Sequence, residues 1–385
     1  MELKLMKLET RSIYYRYTTK AIWVKYIVTL FLKWKGTKRF AIGLLKLTVK
    51  MNVKPITNIL NGIYFCGETL NEAKEASRTL SKNNIFSVLD YAVEGEEQEL
   101  LFDEAVDSTL RLIELANLDS NIPYVVIKPS SLGAVSLYEY KTKNDASFTQ
   151  HSAAWERVLD RYDKIFSYAH QLSVRVMIDA EQSWIQSAVD EIATKNIIKY
   201  NRETVIITLT LQCYRKNSYE FITLMNNVAI KHGVNIGIKL VRGAYLEEEI
   251  QYNDRVGDVL FYSKSETDEN YNAIVDFIIA NIDNFTPFFA THNEVSIARI
   301  LDDKRLSSKD FWLGQLYGVG DHVSLSAVKK GNRVCKYLPY GPFEKSLPYL
   351  LRRIEENAVS VATFSNENAI IRKEIISRIV GKNDG

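Results

Sequence analysis

From residue 85 onward the chain alternates two kinds of segment. Short runs rich in apolar and β-branched residues recur at 85–91, 124–129, 174–181, 205–212, 234–243, 287–293, 311–317 and 332–339. Between them lie longer amphipathic stretches, such as 184–199 and 219–232, that predict helices. Runs that are apolar at nearly every position mark strands covered on both faces, as in a parallel sheet. Eight strand-then-helix units predict an α/β fold, a (β/α)8 TIM-type barrel over residues 61–385, with additional helices in residues 1–60.

A second pattern rides on the first. The first polar residues of each unit appear where a predicted strand ends: Asp90, Lys128, Asp179 with Glu181, Gln212, Lys239 with Arg242, His292 with Asn293, Gln315, and Tyr337. In such a barrel the C-terminal strand ends carry the active site, so the series predicts one shared pocket. Asp179 and Glu181 are two apart, which on a regular strand turns both to the same side. Residues 134–157 are polar and interrupt the alternation, predicting a loop insertion near the mouth.

Charge changes the picture mainly at the N-terminus. The whole chain of 385 residues has a formal net charge of +2, which argues against nucleic acid as the main partner. Residues 1–54, however, hold thirteen Lys/Arg and two Glu, a local charge of +11 that leaves about −9 for the remainder. The same stretch carries Tyr14, Tyr15, Tyr17, Trp23, Tyr26, Phe31, Trp34 and Phe40. Basic residues interleaved with aromatics suit peripheral contact with an anionic membrane; a helical cap on the barrel is the alternative. The longest apolar run, 21–32, contains Lys25 and is too short to span a bilayer. No small-residue cleavage site follows it, so the expected location is the cytoplasm, peripheral to the inner face of the membrane, or the matrix side in a mitochondrion. Cys66, Cys213 and Cys335 have no CxxC spacing, and the five histidines form no metal-ligand pattern.

The candidate chemistry is dominated by cations. A predicted C-terminal helix opens on Leu347 and carries the adjacent pair Arg352 and Arg353, with Glu356 four and three residues on, placed to support a guanidinium. Two arginines on a mostly apolar helix need an anion to meet them. No HExxH, GxSxG or GxGxxG motif is present, so an excess of cations without a protein nucleophile points to a phosphate-bearing organic cofactor beside a small carboxylate. The residues alone also leave open a flavin-free lyase or hydrolase using Asp179, Glu181 and Lys239 directly, or a degenerate barrel serving as a scaffold.

At Lys239-Leu-Val-Arg-Gly-Ala-Tyr245, Ala290-Thr-His-Asn293, Tyr337 and Arg352-Arg353-Ile-Glu-Glu356, the chain resembles the monofunctional proline dehydrogenases, from about Phe65 to the C-terminus. The resemblance implies FAD as cofactor, L-proline as substrate, Δ1-pyrroline-5-carboxylate as product, a quinone as electron acceptor and a place in proline catabolism. It implies that Arg352, Arg353 and Lys128 grip the proline carboxylate, and that Tyr337, Tyr245 and Leu316 wall the ring. Asp179 would hold the tyrosine and line the site, and Lys239 would face the reactive edge of the flavin. Gln212, Val241, Arg242, Gly243, Thr291 and His292 match the family's FAD contacts, with Ala180 beneath the ring. Many bacterial members read Arg-Leu-Val-Lys where this chain reads Lys239-Leu-Val-Arg242, so the two cations are exchanged. A hydroxyproline dehydrogenase on the same barrel is the nearest alternative, and the bulk of Tyr337 opposes it.

Overall fold

Each apolar run forms a strand. They are β1 Ile85–Tyr91, β2 Tyr124–Ile127, β3 Arg175–Ile178, β4 Ile207–Gln212, β5 Ile236–Val241, β6 Phe285–Ala290, β7 Trp312–Leu316 and β8 Val334–Tyr340. They close into a barrel in chain order. Pairing is parallel between β1 and β8 and from β2 through β6. The computed structural model describes residues 13–33, 62–92, 98–144, 146–252, 259–342, 346 and 361–380. The helices are α1 Thr19–Lys33, α2 Leu70–Ser81, α3 Glu99–Leu118, α4 Val135–Lys143, α5 Ser152–Gln171 and α6 Ser183–Tyr200. They continue with α7 Ser218–His232, α8 Leu246–Tyr252, α9 Lys264–Ala280, α10 Glu294–Leu301, α11 Asp321–Lys329 and α12 Val361–Val380.

The chain divides into two compact units, one of residues 1–93, 291–302 and 314–385 and one of residues 94–290 and 303–313. In the second, β2 and β4 are buried at every position, as their unbroken apolar runs require. Helix α5 buries Trp155, Val158, Tyr162, Ile165, Phe166 and Ala169, a single face at helical spacing. Arg161 also faces inward: it donates to Glu99, to Asp103 at 2.8 Å and to the Leu132 carbonyl at 3.1 Å, and lies 5.2 Å from the Phe102 ring. Both carboxylates are about half exposed or more, so their share is screened; the packed guanidinium and its carbonyl bond carry the rest. Arg161→Ala is therefore expected to cost about 1–2 kcal/mol in urea unfolding. Hydrogen bonds from Arg157 and then Arg161 hold the Glu99 carboxyl at about 2, below its ordinary 4.5. Its contribution is present above pH 4.5 and is lost as pH falls toward about 2.

Residues 134–157 are not the predicted loop. They form α4, a short 3-10 turn and the start of α5. Leu137 and Tyr138 are the buried side of α4, and Asn144 ends it in the left-handed conformation with φ 49°. The polarity that suggested a loop belongs to the helix's solvent face.

In the first unit, α1 packs on α12. Lys25 reaches Glu367 at 2.6 Å and the Gly318 carbonyl at 2.7 Å, Thr29 bonds Asn368, and Arg378 donates to the carbonyls of Tyr14 and Tyr17. Arg16 pairs with Asp321 at 3.2 Å and lies 4.0 Å over the Tyr317 ring. Asp321 also accepts from Tyr17 at 2.8 Å and pairs with Lys336 of β8 at 3.2 Å. Two of the N-terminal cations are thus spent inside the fold rather than offered to a lipid surface. Trp23, Ile27 and Leu30 stay on the exposed side of α1. Among the described residues no helix is long and apolar enough to cross a membrane.

Candidate active site

In the larger unit the polar strand ends form one connected set. Lys128 follows β2 directly and is buried. Asp179 follows β3, and its N–H donates to the Ile127 carbonyl at 2.9 Å, extending the β2–β3 pairing by one step. Lys239 sits in β5, in register with Thr210 of β4. Its ammonium reaches across β4 to Asp179 Oδ1 at 2.5 Å, with the lysine side chain 7% and the aspartate 18% exposed. This buried cation with a half-buried acid is the chemical centre of the set. The carboxylate offsets the cost of placing an ammonium group in the barrel interior.

Asp179 and Glu181 do not share a face, contrary to the strand-based expectation. β3 ends at Ile178, so the alternation stops there. Glu181 turns to the short 3-10 turn after β2, accepting from the Ser130 N–H at 2.8 Å and the Ser130 hydroxyl at 2.6 Å. Its carbonyl accepts from Gln212 Nε2 at 2.7 Å, and Gln212 Oε1 accepts from the Ala244 N–H at 3.4 Å. Gln212 therefore ties the β3 end to the turn after β5. Ala180 lies half-buried between the two acids.

That turn runs Val241-Arg242-Gly243-Ala244-Tyr245. Arg242 points to α9, donating to Asp268 at 2.5 Å with its guanidinium 4.3 Å from the Tyr271 ring. The exchanged cations thus each have their own carboxylate, Lys239 with Asp179 and Arg242 with Asp268. Gly243 has φ 127°, and a Cβ there would lie 2.1 Å from the Tyr214 ring, so no other residue fits. Tyr245 is buried.

In the smaller unit, the Thr291 N–H donates to the Gly314 carbonyl at 3.1 Å, and the Thr291 hydroxyl accepts from the Asn293 N–H at 3.1 Å. His292 Nε2 accepts from the Leu316 N–H at 3.1 Å, which leaves the ring proton on Nδ1. Leu316 ends β7, and the Tyr317 N–H donates to the Tyr337 carbonyl at 3.0 Å. Tyr337 is buried in β8. Arg352, Arg353 and Glu356 lie outside the described residues. Among the described residues no cluster of His, Cys, Asp or Glu could hold a metal ion.

The sequence matches the family described as proline dehydrogenase over residues 73–367. The chain belongs to the proline dehydrogenase family. It is 46% identical over 370 residues to the carbapenem antibiotics biosynthesis protein CarD of Pectobacterium carotovorum subsp. carotovorum, covering 96% of this chain and 98% of that protein. It is 27% identical to the mitochondrial proline dehydrogenase 1 of Dictyostelium discoideum, of which it spans 64%. The proline utilization A protein of Bdellovibrio bacteriovorus superimposes with a TM-score of 0.68 at 20% identity, across 91% of this chain and 38% of that one, a likeness of fold. As a member of the proline dehydrogenase family the chain is an oxidoreductase.

Residue patterns missed part of this network. Ser130, Ser183, Glu249 and Asp268 were not foreseen, although the three glutamates that follow Leu246 open a short helix, where acids belong.

Proposed function

We propose that this chain oxidises L-proline to Δ1-pyrroline-5-carboxylate, with FAD as the hydride acceptor and a quinone receiving the electrons. The observation that carries the reading is the buried Lys239–Asp179 pair at the strand ends of a chain in this family. The donor set suits a flavin. A buried ammonium favours the negative charge of a reduced ring, and the Gln212 amide and the tight turn at Gly243 suit a flat, acceptor-rich edge. Bound FAD would supply the hydride acceptor and nothing else.

The chain's own groups do the rest. In the larger unit, Lys128 meets the proline carboxylate, Tyr245 walls the ring, and Lys239 and Asp179 act at the reacting centre. Ala180, Gln212, Val241, Arg242 and Gly243 hold the cofactor. In the smaller unit, Leu316 and Tyr337 are substrate residues and Thr291 with His292 are FAD residues. Arg352 and Arg353 clamp the carboxylate, supported by Glu356. A carboxylate clamp accelerates the reaction by fixing the ring carbon about 3–3.5 Å from its acceptor. Glu181, held by Ser130, is a structural acid in this scheme, which disfavours a flavin-free lyase built on the Asp179/Glu181 pair.

Purified protein supplied with FAD should reduce an artificial electron-accepting dye in the presence of L-proline and should turn over hydroxyproline more slowly, because the bulk of a tyrosine at position 337 opposes a ring hydroxyl. Faster hydroxyproline turnover would exchange the substrates. A relative named hydroxyproline dehydrogenase, from Xenopus laevis, is 28% identical, so the comparison is a real choice.

A second reading concerns the setting of the reaction. The 46% identity to a carbapenem biosynthesis protein over nearly the full length of both chains favours a biosynthetic use of the pyrroline product over proline catabolism. Loss of the gene with growth on proline unchanged supports the biosynthetic setting; loss of growth on proline supports catabolism. Location at the inner face of a membrane, with the quinone there, remains part of the proposal and is read from the exposed apolar side of α1.

A further inference from the structure

The turn that carries Gly243 and Tyr245 runs into α8, and α8 is fastened by a buried acid. Glu249 is 1% exposed. It accepts from the Ser183 N–H at 2.5 Å and from the Ser183 hydroxyl at 2.6 Å. Ser183 is the first residue of α6, so the carboxylate lies on an otherwise unmet helix N-terminus, where an anion is favoured. The Tyr214 hydroxyl donates to the same carboxylate at 3.4 Å. The Tyr214 ring is the surface against which Gly243 lies, and the Glu249 N–H donates to the Tyr245 carbonyl at 2.9 Å.

These contacts make a closed circuit. Glu249 binds Tyr245 through the first turn of α8, Tyr214 through its phenol, and thereby the back of Gly243. On the other side it binds Ser183, three residues past Ala180 and four past Asp179. One carboxylate thus joins the turn after β5 to the segment after β3. The Lys239–Asp179 bridge links β5 itself to the same segment after β3. The outer end of α8 is held differently. Tyr252 stacks on Trp184 at 3.9 Å and bonds Glu139 on α4, in solvent-exposed surroundings where such contacts contribute little.

We infer that Glu249 is a positioning residue for the oxidation: it sets the distance between the Asp179–Ala180 segment and the Gly243–Tyr245 turn by fastening α8 to the start of α6. The inference rests on the proposed roles of those two segments. A hydride transfer tolerates little misplacement of its partners, and loosening of a supporting contact away from the chemistry can cost on the order of 10²-fold.

The test uses the full chain loaded with FAD. Glu249→Gln keeps the size of the side chain and one acceptor but loses the charge and one of the two Ser183 bonds. Its kcat with proline is expected to fall about tenfold or more, with bound FAD per chain and the thermal midpoint near those of wild type. Glu249→Ala is expected to fall further. A loss confined to kcat at full FAD occupancy marks positioning, because general unfolding would lower the midpoint and FAD content together. Wild-type kcat in folded Glu249→Gln overturns the inference, even if Glu249→Ala fails to fold. So does a loss of equal size in Tyr252→Phe, which would assign the effect to α8 as a whole. If the wild-type chain itself does not oxidise proline, the functional reading has failed rather than this one.

Discussion

Lys239→Met is expected to lower kcat for proline oxidation by on the order of 10²–10³-fold, the range seen when one fixed electrostatic contact to a developing charge is removed. Methionine matches the length and apolar stem of lysine, so packing inside the barrel is preserved. What disappears is the buried ammonium, together with the partner of Asp179. Asp179 is only half-buried and keeps contact with water, which spares the fold. Lys239→Arg keeps the charge and restores the residue many bacterial relatives have in the resembling motif. It is expected to recover most of the rate, because Asp179 can accept from either cation. Steady-state kinetics with circular dichroism as the check on folding decides this. An unchanged kcat in Lys239→Met would separate the buried pair from the chemistry.

Asp321→Ala is expected to destabilise the chain by about 3–5 kcal/mol, the cost of breaking a buried ion network by removing one partner. Arg16, Lys25 and Lys336 all converge on this one carboxylate, and the side chain is 8% exposed. Although burial itself works against ionisation, Arg16, Lys336 and Lys25 together hold the Asp321 carboxyl well below the usual carboxylate range. Its contribution is therefore present above its ordinary 3.8 and is lost as pH falls below that value. Lys336 behaves in the opposite sense. Burial lowers its pKa from 10.5 to about 8, with Asp321 limiting the fall. Between those values the unfolded chain holds the proton and the folded chain does not, so stability contributed by this group rises from pH 8 toward 10.5. Denaturant midpoints across that range should show the rise in wild type and lose it in Lys336→Met. A thermal midpoint of Asp321→Ala equal to wild type would mean the three cations find other partners at no cost.

The network matters beyond stability because Lys336 also donates to the carbonyls of Leu316, the last residue of β7, and of Val319, on the turn that follows. Arg16, stacked on Tyr317, lies against the same turn. The N-terminal segment is thus bound into the support of Leu316, a proposed wall residue.

The barrel was legible in the chain because strands covered on both faces must be apolar nearly throughout. The 85–91 run coincides with β1, and the others match their strands to within a few residues. The Lys239–Asp179 pair was half legible. Each residue stands out at a strand end, but their contact spans 60 positions and depends on the β3–β4–β5 register. Arg16 and Asp321 are 305 positions apart, and no local pattern joins them. The α4 segment was misread because its buried side comprises only Leu137 and Tyr138. Glu181 departs from the strand alternation because β3 stops at Ile178.

The visible spectrum of the purified chain under anaerobic conditions is the sharpest test of proline oxidation by a bound flavin. Protein incubated with FAD and freed of excess cofactor should be yellow, and addition of L-proline alone should bleach the flavin band, with pyrroline product formed in equal amount. A chain that retains no flavin, or a bound flavin that L-proline leaves oxidised, would contradict the account.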